Sequence, residues 1–131
     1  MAAARLRTDD CPQTLRVLVV DDQLLYAEAL SVLLREQDGL DVVGIAGDGR
    51  QAIADAAELR PDVVLMDIEM PLMDGITATC WIRQRLPETR VVVMTALTGE
   101  EHAERALRAG AAACIRKFSA AGDLLAAIEA A

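Results

Sequence analysis

The chain has 131 residues, of which 53% are apolar and only 2% aromatic, and its formal net charge is -8. This length predicts one domain with a substantial core, and the apolar content excludes a disordered chain. The acidic charge argues against direct binding to a nucleic acid backbone, and no apolar run approaches the roughly 18 residues that a membrane span needs. The three cysteines fit no zinc-binding pattern, so we expect a reduced, cytoplasmic setting without membrane attachment; they are Cys11, Cys80 and Cys114.

Apolar runs of strand length alternate along the chain with segments of helical spacing. Residues 1–14 are polar and aperiodic, which predicts a flexible N-terminal leader before a single domain of residues 15–131. The predicted strands cover residues 15–20, 41–46, 63–66, 90–94 and 113–116, and the predicted helices cover 23–36, 50–59, 74–86, 99–109 and 120–131. Such alternation predicts an α/β domain with helices on both faces of a parallel sheet. We expect the flavodoxin-like (βα)5 arrangement, a doubly wound sheet with the strand order 2-1-3-4-5.

The third predicted strand is the element around which the candidate site is organised. Its four apolar residues lead directly into Asp67, which should stand at the carboxyl end of a strand buried on both faces. Pro71 cannot continue a strand ladder, and Asp74 before Gly75 is a typical N-cap for the next helix. Asp48 has the same type of position before the second helix. We assign Asp48 and Asp74 to turn and cap roles, and Asp67 to chemistry.

Polar residues follow four of the five predicted strands. They are Asp21 and Asp22 after the first, Asp67 after the third, Thr95 after the fourth, and Lys117, the only lysine, after the fifth. The ends of parallel strands share one edge of the sheet, so the three carboxylates should converge there. Like charges this close need a cation, and Mg²⁺ is the natural candidate because it prefers oxygen ligands. With a hydroxyl and an ammonium to bind charged oxygens, the set predicts phosphoryl transfer onto an aspartate.

The chain resembles the receiver domain of two-component response regulators over nearly its whole length, from about Arg16 to Ala131. The matching motifs are Val-Leu-Val-Val-Asp21-Asp22-Gln, Asp48-Gly49, Met-Asp67-Ile-Glu-Met-Pro71-Leu-Met-Asp74-Gly75, Met94-Thr95-Ala96, and Ala109-Gly110-Ala111 before Lys117. Each motif alone is a weak indication, but the full set on the matching strand ends is highly specific. Asp-Val-Val-Gly and Ala-Leu-Arg-Ala-Gly-Ala further resemble the subfamily whose receivers precede a helix-turn-helix DNA-binding domain.

This resemblance implies a phosphorylation-activated signalling switch. Asp67 would accept a phosphoryl group from a sensor histidine kinase, and Thr95 and Lys117 would hold the phosphoryl oxygens. Mg²⁺ would be bound by three carboxylates and one backbone carbonyl, those of Asp21, Asp22 and Asp67 and that of Glu69. The added charge of about -2 would shift a two-state equilibrium at the fourth helix and fifth strand. The resemblance also implies homodimerisation on phosphorylation, DNA contact only through an effector domain outside this chain, and no enzymatic activity beyond assisting its own phosphorylation and dephosphorylation.

Two positions depart from the family's pattern. Cys114 stands three residues before Lys117, where the family usually has a histidine or an aromatic residue whose rotamer follows the switch. Phe118 follows the lysine, where Asp or Pro is common. We hypothesise that output coupling differs and that Phe118 takes part of the missing aromatic's role. The family further implies that Glu69 and Leu97 line the route of the hydrolytic water and set the lifetime of the phosphoryl group.

Other interpretations of the same residues stay open. The chain could be a stand-alone receiver in a phosphorelay, a receiver that acts by protein contact without phosphate, or a flavin- or nucleotide-binding enzyme, although it has no glycine-rich phosphate loop. An Asp-Asp pair taken alone is more often a helix cap than a metal site. Trp81 points away from its helix's apolar face, so it either marks a partner surface or lies on arginine side chains. We expect His102 to be a solvated surface residue, and Cys114 to be a small buried apolar residue and not a redox sensor.

Overall fold

The computed structural model describes residues 14–96, 100–119 and 121–131. Strands and helices alternate along the chain: β1 (Leu15–Val20), α1 (Leu24–Arg35), β2 (Leu40–Ala46), α2 (Gly49–Leu59), β3 (Val63–Asp67), α3 (Gly75–Arg85), β4 (Arg90–Thr95), α4 (Glu100–Arg108), β5 (Ala113–Arg116) and α5 (Ala121–Ala130). These bounds agree with the predicted ones to within one residue. Residues 1–13 of the predicted leader, and the predicted helix starts at Gly99 and Ala120, lie outside the described residues.

The strands form one parallel sheet in the order β2-β1-β3-β4-β5, which confirms the predicted fold. Asp67 and Thr95 are the last residues of their strands, so each still belongs to the ladder. The register at the carboxyl ends pairs Val20 with Met66, Asp67 with Met94, and Thr95 with Arg116. The ends of β1, β3, β4 and β5 therefore meet along one side of the sheet, which we call the carboxyl edge.

Alternate residues of the strands face two hydrophobic cores, one on each side of the sheet. The first core contains Leu18 and Val20 of β1 and is closed by small and aliphatic residues of α2, α3 and α4. The second contains Val17 and Val19 of β1 and is closed by α1 and α5. The central strands are therefore covered on both faces, and only their ends can present polar groups. Among the described residues, no helix has the length and apolarity needed to cross a membrane.

Aspartates begin the two helices that flank β3. The Asp48 carboxylate accepts a hydrogen bond from the N–H of Gln51 at 2.9 Å, and the Asp74 carboxylate accepts one from the N–H of Thr77 at 2.8 Å. Each bond satisfies one of the unpaired donors in the first turn of a helix. The predicted cap roles of both aspartates are confirmed.

The loop from β3 to α3 folds back tightly against the strand end. A Cβ on Gly75 would lie 2.0 Å from the backbone oxygen of Asp67, so only glycine allows this approach. The N–H of Gly75 donates to the carbonyl of Ile68 at 2.9 Å. The start of α3 is thereby held directly against the backbone that carries Asp67.

Two surface predictions have different outcomes. Trp81 is 41% exposed, and the guanidinium of Arg85 lies 4.3 Å from its ring centroid, so the arginine stacking that was one of the two alternatives is present. His102, predicted to be a solvated surface residue, is only partly exposed to solvent. Its Nδ1 is buried and has no hydrogen-bond partner among the described residues. The acidic neighbours of His102 in the sequence did not indicate this partial burial.

Candidate functional site

Backbone ladders extend past the strands and fix where the polar side chains emerge. The N–H of Asp21, directly after β1, donates to the carbonyl of Ala46 at 3.0 Å. The N–H of Lys117, directly after β5, donates to the carbonyl of Thr95 at 2.7 Å. Because both strands are held in register to their ends, the residues that follow them are placed at the same edge as Asp67.

Three carboxylates converge at this edge. Asp21, Asp22 and Asp67 each offer an oxygen atom, and these oxygens lie within 4.8 Å of one another. Asp21 and Asp67 are each 1% exposed, whereas Asp22 is exposed. Local amides orient the two buried groups: Asp21 Oδ1 accepts from the N–H of Gln23 at 2.8 Å, and Asp67 Oδ1 accepts from the N–H of Glu69 at 3.2 Å. The cluster is thus anchored in the protein and reaches solvent through Asp22.

The environment of Asp67 disfavours its ionised form. Burial and the negative charge of Asp21 raise the pKa of Asp67 to about 7, although Lys117 and the N–H of Glu69 act in the opposite direction. A carboxyl group in this state would be converted to the nucleophilic carboxylate by any added positive charge. The three carboxylates of the cluster therefore carry more negative charge than the single positive charge of Lys117 balances.

That cation is Lys117, which the fold buries almost completely. Its side chain is 4% exposed, and its Nζ forms ion pairs with Asp21 Oδ2 at 2.8 Å and with Asp67 Oδ2 at 3.4 Å. Nζ also donates to Oε1 of Gln23 at 2.8 Å. Burial opposes the ammonium charge, but Asp21 and Asp67 outweigh it and raise the pKa of Lys117 above its usual range. Lys117 is therefore a fixed positive charge at pH 7, within reach of Asp67.

The carboxylate of Glu69 binds a backbone donor beside Thr95. The N–H of Ile68 donates to the carbonyl of Met94 at 3.0 Å, which is the last step of the β3–β4 ladder. The carbonyl of Ile68 accepts from Gly75 instead of continuing that ladder. The N–H of Ala96 donates to Oε1 of Glu69 at 3.1 Å. The amide next to Thr95 therefore already donates to an anionic oxygen beyond the end of the β3–β4 ladder.

The donor set fits Mg²⁺. It consists of hard carboxylate oxygens close enough to share one ion, and one of them reaches solvent, as suits an ion that retains bound water. Burial and the negative charge of Asp21 raise the pKa of Asp67, and a bound cation would oppose both effects by favouring the ionised carboxylate. The predicted contribution of the Glu69 carbonyl, like the predicted roles of Thr95 and Lys117, stays a prediction.

Sequence analysis assigned no site role to Gln23 and Tyr26, and it did not predict how closely Gly75 packs behind Asp67. Gln23 binds Lys117, the ring centroid of Tyr26 lies 4.9 Å from the Lys117 Nζ, and Gly75 allows the tight loop behind Asp67. Gln23 and Tyr26 are three residues apart at the start of α1, so they share one face of that helix. This spacing, directly after the Asp-Asp pair, is the signal that could have indicated them.

The two residues that depart from the family pattern lie in different surroundings. Phe118 packs edge-on against Tyr26, with ring centroids 4.9 Å apart, and its ring centroid lies 5.7 Å from the Lys117 Nζ. Cys114 in β5 packs against the first hydrophobic core, and burial raises the pKa of its thiol. This placement favours the predicted role of Cys114 as a small apolar residue. The hypothesis that Phe118 couples phosphorylation to output stays a prediction.

Comparisons with known proteins agree with this geometry. Residues 17–129 match the family model described as the response regulator receiver domain. The chain is 39% identical over 116 residues to the response regulator protein VraR of Staphylococcus aureus, a match that covers 88% of this chain and 56% of that protein. The chain therefore spans about half the length of this relative.

Solved structures show the same architecture. A two-component response regulator of the LuxR family from Aurantimonas sp. SI85-9A1 superposes with a TM-score of 0.86 at 36% identity, over 90% of this chain and 84% of that one. CheY in a complex with CheX, BeF3 and Mg²⁺ from Borrelia burgdorferi superposes with a TM-score of 0.86 at 28% identity, over 94% of this chain and 92% of that one.

Proposed function

The chain belongs to the response regulator receiver family of two-component systems, and we propose that it is a signalling switch activated by phosphorylation of Asp67. The observation that carries this proposal is the buried Asp67 carboxylate, which lies in a cluster with two further carboxylates and is paired with the only lysine. It is the acidic residue of the cluster that both ends a central strand and contacts Lys117. The cluster has the parts that phosphoryl transfer requires, namely a nucleophile, a cation and oxygen ligands for a metal.

In this proposal Asp67 attacks the phosphorus atom of a phosphohistidine on a sensor histidine kinase. A bond forms between a carboxylate oxygen of Asp67 and phosphorus, and the phosphorus–nitrogen bond breaks with its electron pair left on the imidazole. The Lys117 ammonium, already 3.4 Å from Asp67 Oδ2, balances charge on the phosphoryl oxygens. Thr95, buried at the end of the neighbouring strand, supplies a hydroxyl to the same group.

Asp21, Asp22, Asp67 and the carbonyl of Glu69 are the groups that would hold Mg²⁺. The bound ion would neutralise phosphoryl and carboxylate oxygens and so favour the ionised form of Asp67. The Borrelia burgdorferi neighbour, whose complex contains BeF3 and Mg²⁺, supports the assignment of both a phosphoryl group and this metal to the edge. The close packing of Gly75 against Asp67 keeps the loop that carries Glu69 in place for this role.

Phosphorylation would act on the output through β4 and the residues that follow it. The aspartyl phosphate would carry about two negative charges at the end of β3, in place of the single charge of the carboxylate, and would draw Thr95 and the N–H of Ala96 towards the new oxygens. Glu69 must give up its bond to Ala96 for this to occur, since both acceptors compete for one donor. The movement would change the α4–β5 surface, and homodimerisation through such a surface is part of the proposal.

The output itself would lie outside this chain. The relative VraR is nearly twice as long as the matched region, and the Aurantimonas neighbour belongs to the LuxR family. These similarities support a helix-turn-helix effector that binds DNA, while this chain contributes only the receiver and no separate catalytic activity. A cytoplasmic location stays an expectation of this proposal. A receiver that acts alone by protein contact is the second candidate, and it is favoured by Cys114 at the usual aromatic position.

The test is the intact mass of the protein after incubation with acetyl phosphate and Mg²⁺. We expect one added phosphoryl group in the wild type and in Asp74→Asn, because Asn retains the cap at the surface of the same loop. Asp67→Asn, and wild type with EDTA, should add none. If the wild type gains no phosphoryl group under any condition, the receiver that works without phosphate becomes the better interpretation.

A further inference from the structure

The surroundings of Lys117 include two aromatic rings that phosphoryl transfer chemistry does not require. The ammonium has three polar partners, Asp21 Oδ2 and Gln23 Oε1 at 2.8 Å and Asp67 Oδ2 at 3.4 Å. Gln23 and Asp67 accept hydrogen bonds from Nζ, and Asp21 is its close ion-pair partner, so the polar contacts of the ammonium lie on the side of the carboxylates. The rings of Tyr26 and Phe118 lie close to the same nitrogen, at 4.9 Å and 5.7 Å from ring centroid to Nζ.

Both rings are placed for a cation–π contact. Attraction between an ammonium and an aromatic face extends to about 6 Å from the ring centroid, and it is strongest where water is excluded. The Lys117 side chain is only 4% exposed, so the desolvated case applies. The rings contact each other edge to face at an interplanar angle of 70°, which makes them one aromatic unit instead of two independent neighbours.

The chain holds Phe118 in this position with an uncommon backbone conformation. Phe118 has a φ of +67°, in the left-handed region that bulky residues rarely adopt. Its side chain stays 67% exposed, so burial of the phenyl group does not explain the conformation. Its N–H donates to the hydroxyl of Tyr26 at 3.4 Å, which links the residue after Lys117 to α1. An exposed phenyl in a strained backbone beside a functional ammonium suggests that its position serves the site.

We propose that Tyr26 and Phe118 form an aromatic lid over the Lys117 ammonium and are positioning residues for it. The lid covers the ammonium where it has no carboxylate partner, keeps water from its ion pairs and restricts Nζ to the narrow range between Asp21 and Asp67. Tyr26 contributes a ring from α1, and Phe118 closes the lid from the turn after β5. The part of this inference that concerns phosphoryl transfer rests on the proposed function; the part that concerns the position of Lys117 does not.

The single lysine gives a direct test. Lysine labelled with ¹³C and ¹⁵N, incorporated into the full chain, yields one set of side-chain NMR signals, and those signals belong to Lys117. We expect the Hε protons to be shifted upfield by the rings, and the shift to be lost largely in Tyr26→Leu and partly in Phe118→Ala. Tyr26→Phe keeps the ring and should keep most of the shift. Leu25→Ala, at the exposed neighbour of Tyr26, is the matched control and should change nothing.

A kinetic measurement tests the positioning role. With acetyl phosphate and Mg²⁺, Tyr26→Leu and Phe118→Ala should phosphorylate Asp67 about three- to tenfold more slowly, the range that corresponds to losing a cation–π contact. Their Mg²⁺ affinity, measured by calorimetry, should stay within about twofold of wild type. Because Phe118 is exposed, its substitution leaves folding intact even if Tyr26→Leu does not fold.

The outcomes separate the two proposals. Lysine signals at unshifted positions in the wild type, or unchanged in both ring-deleting variants, would refute the aromatic lid. A shift that is lost without any change in the phosphorylation rate would refute the positioning role. A wild type that is never phosphorylated would refute the proposed function, while the NMR experiment would still decide whether the lid exists.

Discussion

The two edges of the sheet use their cations differently. At the amino edge, where β3 and β4 begin, arginine side chains bind backbone carbonyls. At the carboxyl edge, the Lys117 ammonium pairs with two of the three clustered carboxylates, those of Asp21 and Asp67. The guanidinium of Arg16 donates to the carbonyls of Leu59 and Arg60 at 2.6 and 3.0 Å. The guanidinium of Arg83 donates to the carbonyls of Pro87 and Thr89 at 2.6 and 2.7 Å. Cations at the amino edge thus satisfy the ends of helices and turns, which is a structural role.

A cavity alone does not distinguish the two edges. One of about 270 Å³ opens at the amino edge, but its charged lining is balanced, with Arg60 and Arg85 against Asp62 and Glu88. The Asp62 carboxylate there accepts from the N–H of Arg16 at 2.8 Å. At the carboxyl edge the charges do not balance, and burial together with the negative charge of Asp21 raises the pKa of Asp67. The comparison teaches that unbalanced buried charge, more than concavity, identifies the functional edge of this sheet.

The largest expected effect is the loss of the cation at the carboxyl edge. Lys117→Met leaves Asp21 and Asp67 buried without their shared partner, and we expect it to lower the free energy of unfolding by roughly 2–4 kcal/mol at pH 8 in EDTA. The loss should be smaller at pH 5, where the raised pKa of Asp67 lets its carboxyl take up a proton. Urea unfolding at the two pH values measures this difference. An equal loss at both would mean that lost packing, and not charge, is responsible.

Removal of a carboxylate from the same edge should stabilise the protein. The raised pKa of Asp67 means that the folded state binds its proton more tightly than the unfolded state, so the stability contribution is full below about pH 4 and is lost as pH rises through about 7. We therefore expect Asp67→Asn to raise the free energy of unfolding by about 2 kcal/mol at pH 8 in EDTA, after allowance for the lost contact with Lys117. Near pH 5 the gain should disappear. Denaturant unfolding from pH 5 to 8 checks this, and a gain that does not depend on pH would contradict the assignment.

Substitution at the amino edge should lower the stability of the fold without changing the rate of phosphorylation. Arg16→Ala removes both hydrogen bonds to the carbonyls that end α2, and we expect a loss of about 1–2 kcal/mol in the free energy of unfolding. Phosphorylation of Asp67 by acetyl phosphate should keep its wild-type rate, because no group near Asp67 changes. A rate that falls by more than about twofold, with the protein still folded, would show that the two edges are coupled.

The smallest expected effect concerns the Glu69 carboxylate, which accepts a hydrogen bond from the N–H of Ala96, the residue after Thr95. Glu69→Ala frees the N–H of Ala96 for an incoming phosphoryl oxygen and removes a negative charge, so we expect phosphorylation by acetyl phosphate to become about three- to tenfold faster. Glu69→Gln keeps an acceptor but no charge, and its rate should fall between those of the wild type and Glu69→Ala. A slower reaction in both variants would indicate that the Glu69 carboxylate assists the transfer and does not compete with it.

Much of the fold could be predicted because its signals are local. Four apolar residues between Pro61 and Asp67 define a buried strand, and glycine, proline and aspartate mark the neighbouring boundaries. Helical and strand periodicities depend only on residues a few positions apart, so the bounds of the elements were predicted to within one residue. The polar residues at strand ends followed from the same pattern, because parallel strands end at a common edge.

The sequence by itself therefore determined the alternation of strands and helices, the identity of the acidic cluster and the position of its single lysine. Only the tertiary structure decided which partners Lys117 takes, since Gln23 lies 94 residues away and Tyr26 meets Phe118 across 92 residues. It also decided that Glu69 binds Ala96, and that His102 is only partly exposed. Contacts of this kind depend on how packed elements place their side chains relative to one another, and no periodicity within one segment records that arrangement.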